Sequence, residues 1–185
     1  SRQAKYETWK AVEIAICQAH AEAGAIPNEA LETIRARASF TLQRSDEIEQ
    51  ETRHDLMAFV RNLAETTGPE GRYIHFGVTS YDVIDTALGI MLRDSCDVLL
   101  DSARRLQAET ARLAKEHANT PMIGRTHGIH AEPITFGFKV ANWHAELSRN
   151  IARLEEVKRD VAVGKVSGAV GIHAITSPDL EKRLC

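Results

Sequence analysis

Aromatic residues are scarce in this chain, at 5% of 185 positions. Strand-rich domains draw on aromatic and β-branched side chains, so the scarcity, with abundant Ala, Leu, Glu and Arg, favours helices over sheets. Cysteine is nearly absent as well. Cys17, Cys96 and Cys185 are odd in number and lack metal-ligand spacing, so they read as reduced thiols in a cytoplasmic protein. No apolar run approaches the ~18 residues that a membrane span requires, and no signal-peptide pattern opens the chain. Neither sign of charge dominates: Lys and Arg total 23 against 26 Asp and Glu, for a net charge of −3. That balance argues against a nucleic-acid partner or a membrane surface and leaves room for a local cationic pocket. Internal repeats, low-complexity segments, GxGxxG and P-loop motifs and a nucleophile elbow are all missing.

Hydrophobic residues make up 43% of the chain, enough for a core. A first helical pattern runs from about Ala4 to Ala23 and stops at Gly24. Asn28 is the expected cap of a short helix carrying Leu31 and Ile34. A third helix is expected from Ser45-Asp46 through Ile48, Leu56, Phe59 and Leu63 to Gly68. The stretch from Gly68 to Val78 is too rich in turn residues for a regular helix. Thr79-Ser80-Tyr81-Asp82 then matches a capping box, with Thr79 as cap and Asp82 reaching back.

From there Val83, Leu88, Leu92, Leu99, Leu106 and Leu113 sustain a helical period to about His117, a rod of roughly 55 Å. A second long pattern starts at Pro133 and ends at Gly164. Two such helices joined by a bent loop form an antiparallel hairpin, and two helices cannot cover each other's apolar stripes. The uncovered stripe must meet further chain or another subunit. The expected fold class is therefore all-α: a small N-terminal helical domain over residues 1–79, then part of a long-helix oligomeric bundle domain over 80–185. Ser177-Pro178 announces one more helix just before Cys185, so the sequence reads as a fragment.

The residues from Met122 to Pro133 concentrate two His, an Arg, a Thr, a Glu and two Gly between those helices. A helix-to-helix connection has no structural need for so many titratable groups. Two other segments join a His to polar partners: Thr52-Arg53-His54-Asp55 and His75-Phe76-Gly77-Val78-Thr79-Ser80. Arg53 offers bidentate recognition of an anion, and the helix start at Thr79-Ser80 favours a carboxylate or phosphate. Together they suit a small polyanionic substrate needing acid–base chemistry near neutral pH. Plainer readings stand beside this one. Arg53, His54 and Asp55 fit a solvated helix face, Thr79 and Asp82 a helix cap, and His127 and His130 structural loop contacts. A zinc site is disfavoured, because His127-x-x-His130 has neither an HExxH motif nor a companion cysteine.

Three blocks carry a resemblance: Arg72 to Thr86 (RYIHFGVTSYDVIDT), Gly124 to Pro133 (GRTHGIHAEP) and Gly164 to Gly171 (GKVSGAVG). With the Thr-Arg-His-Asp segment at 52–55, they resemble conserved blocks of the adenylosuccinate lyase family in the aspartase/fumarase superfamily. The resemblance implies an all-helical subunit of a homotetramer with active sites shared between subunits. It implies a small-molecule substrate and a reversible β-elimination that uses no metal and no organic cofactor. Fumarate would leave adenylosuccinate to give AMP, and would leave the succinylated aminoimidazole carboxamide ribotide of purine synthesis.

By position, His127 resembles the family's general acid and His54 its assisting histidine, with Arg53 and Asp55 on the substrate. His75 resembles a third active-site histidine, and Thr79 and Ser80 the pair that binds the succinyl carboxylate. Thr126 would line the same pocket. The family's loop bearing the basic serine does not occur in these residues, so the chain by itself is expected to be inactive. Alternatives are a carboxymuconate cycloisomerase, an argininosuccinate lyase, or a non-catalytic helical oligomerisation module.

Overall fold

The computed structural model describes residues 1–185. Seven α-helices follow one another: α1 (Arg2–Glu22), α2 (Asn28–Arg37), α3 (Leu42–Thr52), α4 (Asp55–Thr67), α5 (Ser80–Glu116), α6 (Phe136–Val161) and α7 (Pro178–Leu184). A 3₁₀ turn covers Pro69–Tyr73, and strands β1 (Pro121–Thr126) and β2 (Ile129–Thr135) form an antiparallel pair. The fold is all-α apart from that small hairpin. No helix is long and apolar enough to cross a membrane.

The chain divides into two compact units, one of Ser1–Met91 with Ala162–Cys185, the other of Leu92–Val161. In the first, the few aromatics are concentrated. Tyr6 stacks on Trp9 with ring centroids 5.0 Å apart, and Phe59 meets both edge-on at 5.1 and 5.5 Å. Around them Ile16, Ile34, Leu56, Leu63 and Val83 are buried, so one face each of α1, α2, α4 and the start of α5 closes a single core. Burying a side chain of this size contributes about 1.5–3 kcal/mol, which is what holds these short helices in place.

Three local expectations are corrected. Asn28 is the first residue of α2 rather than its cap; Pro27 occupies the cap position and Asn28 makes no capping bond. The single helix expected from Ser45 to Gly68 is two helices. Thr41 caps α3 by accepting from the Arg44 N–H, and the chain breaks at Arg53, which adopts a left-handed φ of 53°. The connection read as a bent loop around Met122–Pro133 is the β1–β2 hairpin, and Pro133 lies in β2 opposite Ile123 instead of starting a helix. The helix start falls three residues later, where Thr135 Oγ1 accepts from the Phe138 N–H at 3.1 Å.

In the second unit α5 and α6 run beside one another. Arg104 bonds Glu155, Gln107 bonds Ser148, and His144 Nδ1 lies 3.1 Å from the Gln107 carbonyl oxygen. Gly137 closes the root of the hairpin. Its N–H donates to the His117 carbonyl at 2.9 Å, and a Cβ placed there would lie 2.5 Å from the Ala114 oxygen. Val98, Leu99 and Leu106 on α5 and Phe138 and Trp143 on α6 remain exposed. An apolar surface of this kind on two long helices is the stripe that the sequence left without a partner.

Candidate active site

The Arg53–His54 break exists because α3 ends in a left-handed residue and α4 needs a cap. His54 supplies it: Nδ1 accepts from the Met57 N–H at 3.4 Å. A ring nitrogen that accepts cannot carry the proton of the neutral ring, so the proton sits on Nε2. Nε2 lies 3.3 Å from Ser80 Oγ, at the first residue of α5. The cap therefore selects the tautomer and aims its N–H at the helix start.

Around this contact is a cavity of about 560 Å³ lined by Lys5, Trp9, Glu49, Arg53, His54, Asp55 and Ser80, among others. Asp55 Oδ1 accepts from the Leu56 N–H at 2.8 Å, and its Oδ2 is 3.7 Å from Lys5 Nζ. Lys5 also stands 4.2 Å above the Trp9 ring, a cation–π contact. Two cations, Lys5 and Arg53, line it together with two carboxylates, Glu49 and Asp55, so these charges balance. Arg53 and the Nε2–H of His54 are the donors this cavity offers to an anion.

His75 is held separately, after the 3₁₀ turn. Its Nδ1 is 2.6 Å from Glu13 Oε1, and its backbone N–H donates to Glu13 Oε2 at 3.0 Å. Thr79 donates its N–H to Asp82 Oδ2 at 2.9 Å, which is the reaching-back half of the capping box. Asp82 is fully buried and does more than cap. Its Oδ1 also accepts from Lys165 Nζ at 2.9 Å and from the Ser167 N–H at 3.1 Å, and the Gly168 N–H reaches both oxygens. The carboxylate thereby ties the 165–168 segment to the start of α5. Thr79 lines a second cavity of about 270 Å³ with Ser167, Gly168 and the apolar side chains of Val170 and Ile175. Ser80 faces the larger cavity, so adjacent residues serve two different spaces.

Thr126 and His127 lie at the hairpin of the second unit. Thr126 pairs with Ile129, leaving His127 (φ 51°) and Gly128 (φ 73°) as a two-residue turn with positive φ at both positions. A turn of that type matches the natural twist of a hairpin and presents its first side chain at the tip. His127 is exposed there. Arg125 pairs with His130 across the strands, with Nη2 to Nε2 at 3.4 Å. At Gly124 the register shifts by a bulge, and a Cβ there would lie 2.9 Å from the Glu132 oxygen, so the strands meet only because that position is Gly. A cavity of about 440 Å³ opens beside the hairpin, lined by Met122, Arg125, Phe138, Lys139 and Trp143 among others.

Of the residues singled out in the sequence, Arg53, His54, Asp55 and Ser80 share one cavity. His75 and Thr79 belong to the same compact unit with partners of their own, and Thr126 and His127 belong to the hairpin unit. Three contributors escaped sequence reasoning: Lys5, Glu13 and the ammonium of Lys165. Glu13 left a signal, a single acid within the apolar run Ala11-Val12-Glu13-Ile14-Ala15-Ile16.

Long antiparallel helices joined by a histidine-bearing hairpin, with a cavity at a helix start, can be set beside solved structures. The structure superposes with a TM-score of 0.92 on the crystal structure of fumarate lyase from Mesorhizobium sp. BNC1, at 33% identity over all of this chain and 45% of that one. It matches β-carboxy-cis,cis-muconate cycloisomerase from Acinetobacter calcoaceticus with a TM-score of 0.91 at 26% identity, again over all of this chain and 46% of that one. The profile of the lyase family matches residues 1–185, and the chain belongs to that family. Among curated proteins it is 51% identical to adenylosuccinate lyase from Synechocystis sp. and 46% identical to that from Bacillus subtilis, each over 181 residues. Those alignments take in 98% of this chain and 42% of each relative, so the chain spans less than half the length of the curated relatives it matches.

Proposed function

We propose that the protein carrying this chain is a cytoplasmic adenylosuccinate lyase. A base removes a proton from the Cβ of the succinyl group, and the bond between the succinyl carbon and the purine nitrogen breaks. Fumarate leaves, and the nitrogen takes a proton from an acid. AMP is the second product; the same elimination acts on the succinylated aminoimidazole carboxamide ribotide. The observation that carries this reading is the His54–Ser80 contact beside Arg53 and Asp55, in a chain 51% identical to an adenylosuccinate lyase.

In this assignment His127 is the acid on the leaving nitrogen, and its place at a rigid two-residue turn supports that role. His54 assists with its Nε2–H while Arg53 and Asp55 hold the substrate. His75 is the third active-site histidine. Thr79 and Ser80 receive the succinyl carboxylate at the start of α5, where the helix dipole and unpaired N–H groups favour an anion. Thr126 lines the pocket beside His127. No step calls on a metal or an organic cofactor. The basic serine lies outside these 185 residues, and the exposed stripes of α5 and α6 are the surfaces through which a homotetramer builds sites from more than one subunit.

The muconate cycloisomerase that shares the fold at 26% identity supports a cycloisomerase as the second reading. A panel of adenylosuccinate, argininosuccinate and carboxymuconate, followed by ultraviolet absorbance with the whole protein, separates them. Turnover of adenylosuccinate alone is expected; turnover of carboxymuconate with adenylosuccinate untouched overturns the assignment.

A further inference from the structure

His75 is a non-glycine residue at φ 65°, a left-handed conformation that side chains with a Cβ adopt only under strain. Something must hold it there, and a single side chain meets both of its N–H groups. Glu13, midway along the core face of α1, is 1% exposed. Its Oε1 lies 2.6 Å from Nδ1 and its Oε2 accepts from the backbone N–H at 3.0 Å. The His75 ring is the partner in the only ion pair that Glu13 makes. A buried carboxylate without a cationic side chain is costly unless its partner can carry the charge, and an imidazole can.

We propose that Glu13 is the positioning residue of His75. The carboxylate can only accept, so it fixes the proton on Nδ1 and leaves Nε2 as the atom that exchanges a proton. With 12% of its side chain exposed, the ring is clamped yet still reaches the surface. The carboxylate also orients the ring, in the way that a carboxylate holds a catalytic histidine in other enzymes. That part rests on reading His75 as an active-site histidine; the fixed tautomer does not. His54 and His75 are then opposites. The His54 cap puts its proton on Nε2, and Glu13 puts that of His75 on Nδ1.

Glutamine is the informative replacement at position 13. Its amide has one acceptor oxygen, so one of the two His75 N–H groups must face an NH₂ donor. Nitrogen-15 NMR of the histidine side chains in the whole protein reads the tautomer directly. The wild type is expected to show His75 protonated on Nδ1, with that proton strongly downfield and slow to exchange. Glu13→Gln is expected to lose the downfield proton and shift toward the Nε2–H form, while His54 keeps its signals. A wild-type His75 in the Nε2–H form overturns the proposal, as does a folded Glu13→Gln variant with an unchanged His75 spectrum. Should Glu13→Gln fail to fold, the wild-type spectrum alone decides. In the whole protein, Glu13→Gln is expected to lower kcat on the order of 10²-fold with little change in KM. A wild-type protein that releases no fumarate defeats the lyase reading and leaves the tautomer result standing.

Discussion

Replacing Asp82 with Asn tests whether one buried carboxylate ties the start of α5 to the 165–168 segment. Asp82 is fully buried and accepts from Thr79, Ser167 and Gly168 backbone N–H groups and from Lys165 Nζ, at 2.9–3.2 Å. Asn has nearly the same shape, so packing is conserved and only the charge and one acceptor oxygen are lost. Its NH₂ must then face backbone donors already pointing at it. Breaking a buried ion pair costs about 3–5 kcal/mol, because it strands a charge. Here the stranded partner is Lys165, whose side chain is 37% exposed and can rehydrate, so the cost falls toward the lower end. An unsatisfied backbone N–H adds about 1–3 kcal/mol. A total of roughly 4–6 kcal/mol corresponds, for a chain of this length, to a Tm lowered by roughly 8–24 °C.

Thermal unfolding followed by circular dichroism reads that shift, and Lys165→Met is the control. Removing the ammonium leaves the carboxylate its three backbone donors, so Lys165→Met should cost less than half as much as Asp82→Asn. The ordering is the signature of a carboxylate held chiefly by backbone amides. A Tm change within about 2 °C for Asp82→Asn, or a Lys165→Met variant that loses as much, refutes the reasoning.

Other predictions follow from the same geometry. Gly137→Ala drives a Cβ to within 2.5–2.7 Å of backbone atoms of Ala114, His117 and Ala118, so urea unfolding should show a loss of about 1–3 kcal/mol despite the better helix propensity of Ala; a neutral result means the hairpin root is looser than described. Burial holds the His20 imidazole below its ordinary 6.5, opposed by its bond to the Phe76 carbonyl oxygen. The unfolded chain therefore takes up the proton first, and stability present above pH 6.5 is lost as the pH falls through that value toward the depressed pKa. His20→Gln should flatten that dependence, and an unchanged slope between about pH 7.5 and pH 5 counts against it. Burial, helped by the nearby Glu13 charge, pushes the Cys17 thiol up to about 12. At pH 8 only about one part in 10⁴ is thiolate, so mass-mapped alkylation of the native chain should reach exposed Cys185 long before Cys17; equal rates overturn the buried placement.

The long helices were legible because their signals are local and repeated. The capping box at Thr79–Asp82 and the periodic leucines put α5 at Ser80–Glu116. The break in the 42–67 segment was hidden because Ile48, Leu56 and Phe59 keep apolar spacing across it, while the left-handed Arg53 is a backbone state that spacing does not record. The hairpin was hidden by its histidines. His127-Gly128 between Thr126 and Ile129 is a two-residue turn signal, but the concentration of titratable groups suggested a loop. Residues 53–55 and 79–80, singled out by their types, line the cavities beside the start of α5. Glu13 and Lys165 were not singled out, since they meet His75 and Asp82 across 62 and 83 positions of chain, and only the packing of α1 and the 165–168 segment brings them there.

Under the proposed function, His127 donates the proton to the leaving nitrogen of adenylosuccinate. The most direct measurement is fumarate and AMP release by the whole protein and by its His127→Ala variant, with substrate affinity measured in parallel. The wild type is expected to release stoichiometric fumarate and AMP, and the variant to show a kcat lowered on the order of 10²–10⁴-fold with binding retained. Undiminished turnover by His127→Ala, or a wild-type protein that leaves adenylosuccinate intact, contradicts it.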